Sequence, residues 1–185
     1  MRQKLRRPTR KLAEQAERLE DRTLLAAVTV DTTADTIDGV TTSIANLIAS
    51  PGTDGNISLR EAIVAANNTA GADTISFDPS INGNTITLSI AGTSEDAAAT
   101  GDLDITDALT ITGNGRSSTI IDANGIDRVF HILADNVTIS DMTVTGGDES
   151  QGAGLRIEQI AVLNNLLVEG SVTGGGIYMR NVDDQ

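Results

Sequence analysis

Apolar residues recur along this chain with two spacings. Leu59, Ala62, Ile63 and Ala66 fall at i, i+3, i+4 and i+7, one stripe about two helical turns long. Ser58 and Glu61 have the Ser-x-x-Glu spacing of a capping box, in which each side chain satisfies an orphan N–H at a helix start. The spacing predicts a short capped helix over 58–68, too short to be stable alone in water, so it must lie against something. Elsewhere apolar residues alternate with polar ones, as in Ile75 and Phe77, Ile86, Leu88 and Ile90, or Val137 and Ile139, the period of half-buried strands. Val28-Thr29-Val30 reads as an entry strand, and Ser50-Pro51-Gly52-Thr53-Asp54-Gly55 as a loop. The stretch from Gly92 to Gly101 interrupts the alternation and reads as a surface loop.

The alternation repeats. A shift of 22 aligns Gly152 with Gly174, Leu155 with Ile177 and Ile157 with Met179. A shift of 24 aligns Val137 with Ala161, Ile139 with Leu163, Met142 with Leu166 and Val144 with Val168. A period in the low twenties fits a stack of coils, either a parallel β-helix or a leucine-rich repeat. The Leu-x-x-Leu-x-Leu pattern is absent and no helix recurs in each unit, which favours strands. The expected fold is therefore all-β, a right-handed parallel β-helix (solenoid) whose N-terminal edge is capped by the helix over 58–68. At the other end no cap is visible, so the stack is expected to be C-terminally incomplete, a fragment of a larger surface protein.

Composition agrees with strands and turns. Aromatics are 2% of the 185 residues, so the core must be aliphatic, and the absence of cysteine removes disulfides and thiolate chemistry. Charge is divided unevenly. Residues 1–25 hold eight Lys/Arg against four acids, while the remainder carries 5 basic and 22 acidic residues and no lysine. A body this acidic repels nucleic acid and anionic polysaccharide unless cations intervene. No stretch approaches the ~20 apolar residues of a membrane span.

The segment Ile57-Ser58-Leu59-Arg60-Glu61-Ala62-Ile63, continued through Ala65-Ala66-Asn67 to Gly71-Ala72-Asp73-Thr74-Ile75-Ser76-Phe77, resembles the signature of the CSLREA family of bacterial secreted proteins, with Ile57 where that family usually has cysteine. The resemblance runs on through Leu109-Thr110-Ile111-Thr112-Gly113, Ile121-Asp122-Ala123-Asn124-Gly125 and Gly174-Gly175-Gly176-Ile177-Tyr178. It implies a pectin-lyase-like parallel β-helix at the cell surface, related in style to the repeats of polymorphic outer membrane proteins. Leu19-Glu20-Asp21-Arg22-Thr23-Leu24-Leu25-Ala26-Ala27 resembles the LEPR-XLL motif of large bacterial surface proteins, with Asp21 in place of its proline. The expected organisation is thus an export or sorting segment over 1–27, an entry strand and loop over 28–56, and the β-helix over 57–185.

Candidate chemistry is sparse. His131 is the sole histidine, so no histidine cluster exists. Between inward Phe130 and Ile132 it is expected to point outward as a plain surface residue. Asp102, Asp104 and Asp107 crowd one segment, and Asp102 and Asp104 share a strand face that could present carboxylates to calcium. Asp122, Asn124 and Asp127 crowd another. Neither has the spacing of a known calcium repeat, and solvated faces and Asx turns explain them more simply. Glycoside cleavage needs two carboxyls across a cleft, and nothing singles out such a pair. The expectation is a secreted or cell-surface module with a structural or adhesive role and no catalytic site. Its expected partners are further coils, surface or matrix components, or polysaccharide, and not nucleic acid. The alternative is a truncated part of a polysaccharide lyase- or hydrolase-like enzyme.

Overall fold

The computed structural model of the chain describes residues 25–93 and 95–180. Most of the expected export segment over 1–27 lies outside the described residues. In chain order the elements are β1 (Ala27–Val30), α1 (Ile44–Ala49), α2 (Leu59–Asn67), β2 (Asp73–Phe77), a 3-10 turn (Pro79–Ile81), β3 (Thr85–Thr87), β4 (Leu103–Ile105), β5 (Leu109–Thr112), β6 (Ile120–Asp122), β7 (Phe130–Ile132), β8 (Val137–Thr145), β9 (Leu155–Ile157), β10 (Ala161–Val168) and β11 (Ile177–Met179).

The strands form two sheets, and every strand pairing among the described residues is parallel. One sheet follows a six-strand, half-barrel path β1-β2-β5-β8-β6-β3, with β10 added on β8. The other runs β11-β9-β7-β4. The long strand β8 lets the first sheet curve. Thr138 to Ser140 pair with β5, Thr143 to Thr145 pair with β6, and Asp141 between them has φ 59°. Asn165 on β10 repeats the bend with φ 49°, and its amide donates to Asp141 Oδ1 at 2.7 Å. Asn and Asp tolerate this left-handed backbone better than other side chains.

The expected all-β right-handed parallel β-helix is corrected by this structure, which is a mixed α/β fold of parallel sheets with two helices. Ile44 and Leu47 of α1, together with Leu59, Ala62, Ile63, Ala65 and Ala66 of α2, belong to the same buried cluster as Ile75, Ile111, Ile121, Phe130 and Ile139 of the strands. The helices are part of the core. The steps are also uneven, from 47 residues between Thr29 and Ser76 to 24 between Val137 and Ala161 and 22 between Leu155 and Ile177. The shifts of 22 and 24 do recur as strand registers, but only in the last layers. Helix α1 was missed because residues 28–56 read as strand and loop. Its signals are Ser43, whose hydroxyl accepts from Asn46 N–H at 3.2 Å, and the buried pair Ile44 and Leu47.

Helix α2 accounts for each residue of its opening. Ser58 and Glu61 form the capping box: Ser58 Oγ accepts from Glu61 N–H, and Ser58 N–H donates to Glu61 Oε2 at 2.9 Å. Glu61 Oε1 also accepts from the N–H groups of Asp38 and Gly39 at 2.8 Å each. Leu59 and Ala62 are buried in the core. Arg60 is buried with all five of its N–H donors engaged. Nε and one Nη2 proton go to Asp35, at 2.6 and 3.2 Å. The other three protons go to the carbonyls of Ala98, Asp102 and Gly101 at 2.9 to 3.2 Å. Asp35 Oδ2 accepts in addition from the N–H groups of Ser89 and Ile90. At the other end of α2, Asn67 donates to Asp104 O and accepts from Thr106 N–H, both at 2.9 Å, so the helix lies along the free edge of β4.

Removing one partner of a buried, fully bonded ion pair costs about 3–5 kcal/mol, because the other charge stays buried and unpaired. Arg60→Ala should therefore lower unfolding free energy in urea by at least about that amount. A loss below about 1 kcal/mol would show that this pair does not hold the fold.

Candidate functional site

The outward face of the four-stranded sheet carries the site. Leu103, Ile105, Phe130, Ile132, Leu155 and Ile157 point into the core. Between them Asp104 on β4, His131 on β7, Arg156 on β9 and Tyr178 on β11 stand opposite one another in register, forming one polar row. At its Asp104–His131 end this row is covered by the loop that includes residues 95–101. That loop returns over β4, fixed by Gly101 N–H on Ile90 O and by Ala98 N–H on Asp104 Oδ2 at 2.9 Å. Ala98 is fully buried with φ 56°, a strained conformation for alanine. Arg60 holds its carbonyl and Asp104 its N–H, which keeps it there.

His131 is outward by alternation, as expected, but it is 6% exposed and no surface residue. Nδ1 lies 3.2 Å from Asp104 Oδ1 and 3.5 Å from Asp96 Oδ1, while Nε2 lies 3.4 Å from Glu158 Oε1. Glu158 in turn pairs with Arg156 and Arg180. Burial works against a charge on His131, but the hydrogen bonds to Asp104 and Glu158, with the nearby Asp102 charge, outweigh it and raise the pKa. Burial alone would raise Glu158, yet its hydrogen bonds to His131 and Arg180 and the Arg156 charge take it below its ordinary value.

Beside this row a polar cleft of about 200 Å3 opens between Asp96, Asp102, Asp127, Arg128, Glu149 and Arg156. Asp102 Oδ2 pairs with Arg128 at 2.9 Å. Burial pushes the Asp102 carboxyl up to about 7, the Asp104 and Asp127 charges add to this, and Arg128 and His131 oppose it. Asp127 is raised as well, first by burial, and its Oδ1 accepts from Arg128 N–H. The Nε atoms of Arg128 and Arg156 are buried without a hydrogen-bond partner in the protein.

Of the three carboxylates picked out in the sequence, the fold brings Asp102 and Asp104 onto one face and leaves Asp107 elsewhere. Asp107 bonds the N–H of Ala108 and lies near Asp73, whose pKa it helps burial to raise. Asp122 caps its own turn, accepting from Asn124 N–H at 2.8 Å. Asp96, Arg128, Glu149, Arg156 and Glu158 were not singled out. The one available signal was the uneven register that sets Asp104, His131 and Arg156 side by side. No protein-family model, no curated protein and no solved structure matches this chain.

The Asp102 shift fixes the sign of a pH effect. An acid whose folded pKa lies above its unfolded value of 3.8 binds a proton more tightly in the fold, so its contribution to stability is lost as pH rises from about 4 to about 7. The imidazolium of His131, raised above 6.5, loses its contribution in the same direction at higher pH. Glu158 acts oppositely, but only as pH falls below about 4.5. Raising pH from about 5 to about 8 should lower the unfolding midpoint by at least about 2–4 °C, and Asp102→Asn should flatten that slope. An unchanged slope in the variant would contradict the Asp102 assignment.

Proposed function

We propose that this chain is a secreted or cell-surface module with a structural or adhesive role, which works by docking further polypeptide strands along the open edges of its two sheets. One observation carries the reading. Strand β10 pairs only with β8 and β11 only with β9, so among the described residues both sheets end on the same layer. Core-facing side chains of that layer are half-buried on β10 and exposed on β11. Leu155 is fully buried, while Ile177 opposite it is 45% exposed; Ile157 is buried, while Met179 opposite it is 70% exposed. Ile160, Val162 and Val172 add exposed apolar surface on the same stretch. An unpaired edge with uncovered aliphatic side chains is a template for strand addition. The occupant that matches it is a parallel strand segment with the same inward aliphatic pattern.

The secreted or surface setting rests on the CSLREA and LEPR-XLL resemblances and the acidic body. The non-catalytic reading is supported by how the motif residues are used, since Ser58, Arg60 and Glu61 spend their polar atoms on backbone and on Asp35. No helix among the described residues is long and apolar enough to cross a membrane. One feature favours the alternative, carbohydrate cleavage: Asp102 titrates near neutrality in a cleft shared with Asp127, as a general acid requires.

A second copy serves as the probe for the open edge. The chain should associate with rising concentration in sedimentation velocity, and Ile177→Lys with Met179→Lys should render it monomeric without lowering its unfolding midpoint. A parent chain that stays monomeric up to about millimolar concentration, the range of weak contacts, would sink the docking reading. Incubation with acidic polysaccharides should release no unsaturated or reducing sugar; release that Asp102→Asn abolishes would replace this reading with the enzymatic one.

A further inference from the structure

The polar row holds an arrangement that docking of strands does not use. Three residues each offer one potential ligand atom beneath the loop over 92–101: Asp96, Asp104 and His131, these atoms all lying within 4.8 Å of one another. The individual spacings from Nδ1 are 3.2 Å to Asp104 and 3.5 Å to Asp96. Atoms bound at about 2.0–2.2 Å to one tetrahedral cation stand about 3.4 Å apart, so both spacings from Nδ1 already match a shared ion. A single N–H on Nδ1 can serve one carboxylate well; a divalent cation serves both.

Two further features point the same way. The other ring nitrogen, Nε2, faces Glu158 Oε1 at 3.4 Å, and Glu158 is anchored from outside the cluster by Arg156 and Arg180. Metal-binding histidines are held in this manner, with the second nitrogen on a carboxylate that fixes ring orientation and tautomer. The cleft beside the three atoms leaves room for a further ligand or water on the ion, as three-ligand protein sites do. Its lining also has more acids than bases, with Glu95, Asp96, Asp102, Asp127 and Glu149 against Arg128 and Arg156. The imidazole ligand selects the cation class. Calcium takes oxygen ligands, six to eight of them, whereas one imidazole with two carboxylates suits zinc and its neighbours.

We propose that Asp96, Asp104 and His131 bind a divalent transition cation of the zinc class, which fastens the loop over 92–101 to β4 and β7. Asp96 is the ligand that makes this a fastening. It is largely exposed, and His131 is the one group with which it forms an ion pair among the described residues. Without the ion the loop is tied down at Ala98 and Gly101; with it, the tip is tied down too.

The test is calorimetric titration of zinc chloride into the metal-free full chain near neutral pH, paired with hydrogen exchange over residues 92–101. One equivalent should bind at micromolar affinity or tighter, and exchange in the loop should slow. Asp96→Asn and His131→Ala should each weaken binding at least tenfold, Glu158→Gln about tenfold, and Asp107→Asn not at all. His131 is buried and its variant is at risk of misfolding; Asp96 is exposed, so Asp96→Asn decides the matter. Absence of a one-to-one zinc site, or zinc binding and loop protection that Asp96→Asn leaves intact, would overturn the proposal. Calcium binding at equal affinity that Asp96→Asn removes would overturn the cation class.

Discussion

The buried guanidinium of Arg60 is the contact on which the rest of this structure depends. Its five donors and the carboxylate of Asp35 gather five backbone groups from segments that share no ladder: the carbonyls of Ala98, Gly101 and Asp102, and the N–H groups of Ser89 and Ile90. Buried ion pairs are not stabilising in themselves, since apolar residues of similar volume often do as well or better. Here an apolar replacement would leave those five backbone groups without partners in a dry interior, each at a cost of about 1–3 kcal/mol. The pair is retained because irregular backbone has to be buried at this place, and only a charged fork reaches all of it.

That requirement explains why a helix lies inside a protein made of parallel strands. Strand β4 is the edge of its sheet, and its outer backbone groups need partners that a neighbouring strand does not supply. Helix α2 supplies them with side chains: Asn67 takes Asp104 O and Thr106 N–H, and Arg60 takes Asp102 O. Leu59, Ala62 and Ile63 meanwhile fill the core beneath. The two jobs fall on different faces of the same two turns, so the segment tolerates few alternatives. At the opposite side of the molecule β10 and β11 have no such helix among the described residues, and Ile177 and Met179 of β11 stay exposed.

Sequence pattern revealed the local features and misjudged the global one. The capping box of Ser58 and Glu61, the strand at Val28 and the registers joining Leu155 to Ile177 and Val137 to Ala161 could be read because each depends on spacing within one element or one repeat. Period-two alternation and aliphatic cores are common to all stacked parallel sheets, so they could not separate an all-β coil from a fold that takes two helices into its core. Helix α1 was lost for a related reason, since its six residues carry too short a stripe to stand out from the turns around it. The site was harder still. Alternation placed His131 on the outer face, but burial there is decided by the loop over 92–101, which no periodicity describes. Asp107 was grouped with Asp102 and Asp104 by nearness in sequence, while Asp96, His131 and Glu158 meet only through tertiary registers.

The Arg60–Asp35 pair and the polar cleft are one mechanical unit. The backbone carbonyls that Arg60 grips belong to Ala98, Gly101 and Asp102, and one wall of the cleft, with Asp96 and Asp102, comes from the same segment. Burial raises the Asp102 carboxyl to about 7, and repulsion from the Asp104 and Asp127 carboxylates adds to the rise. Left to local preferences this segment would open and let water separate the charges. It stays closed because its backbone is held from below by a helix whose own position is set by core packing. Packing of Leu59 and Ile63 thus fixes the geometry of charged groups that neither residue touches, and the most recognisable stretch of the sequence acts on the site entirely through the backbone.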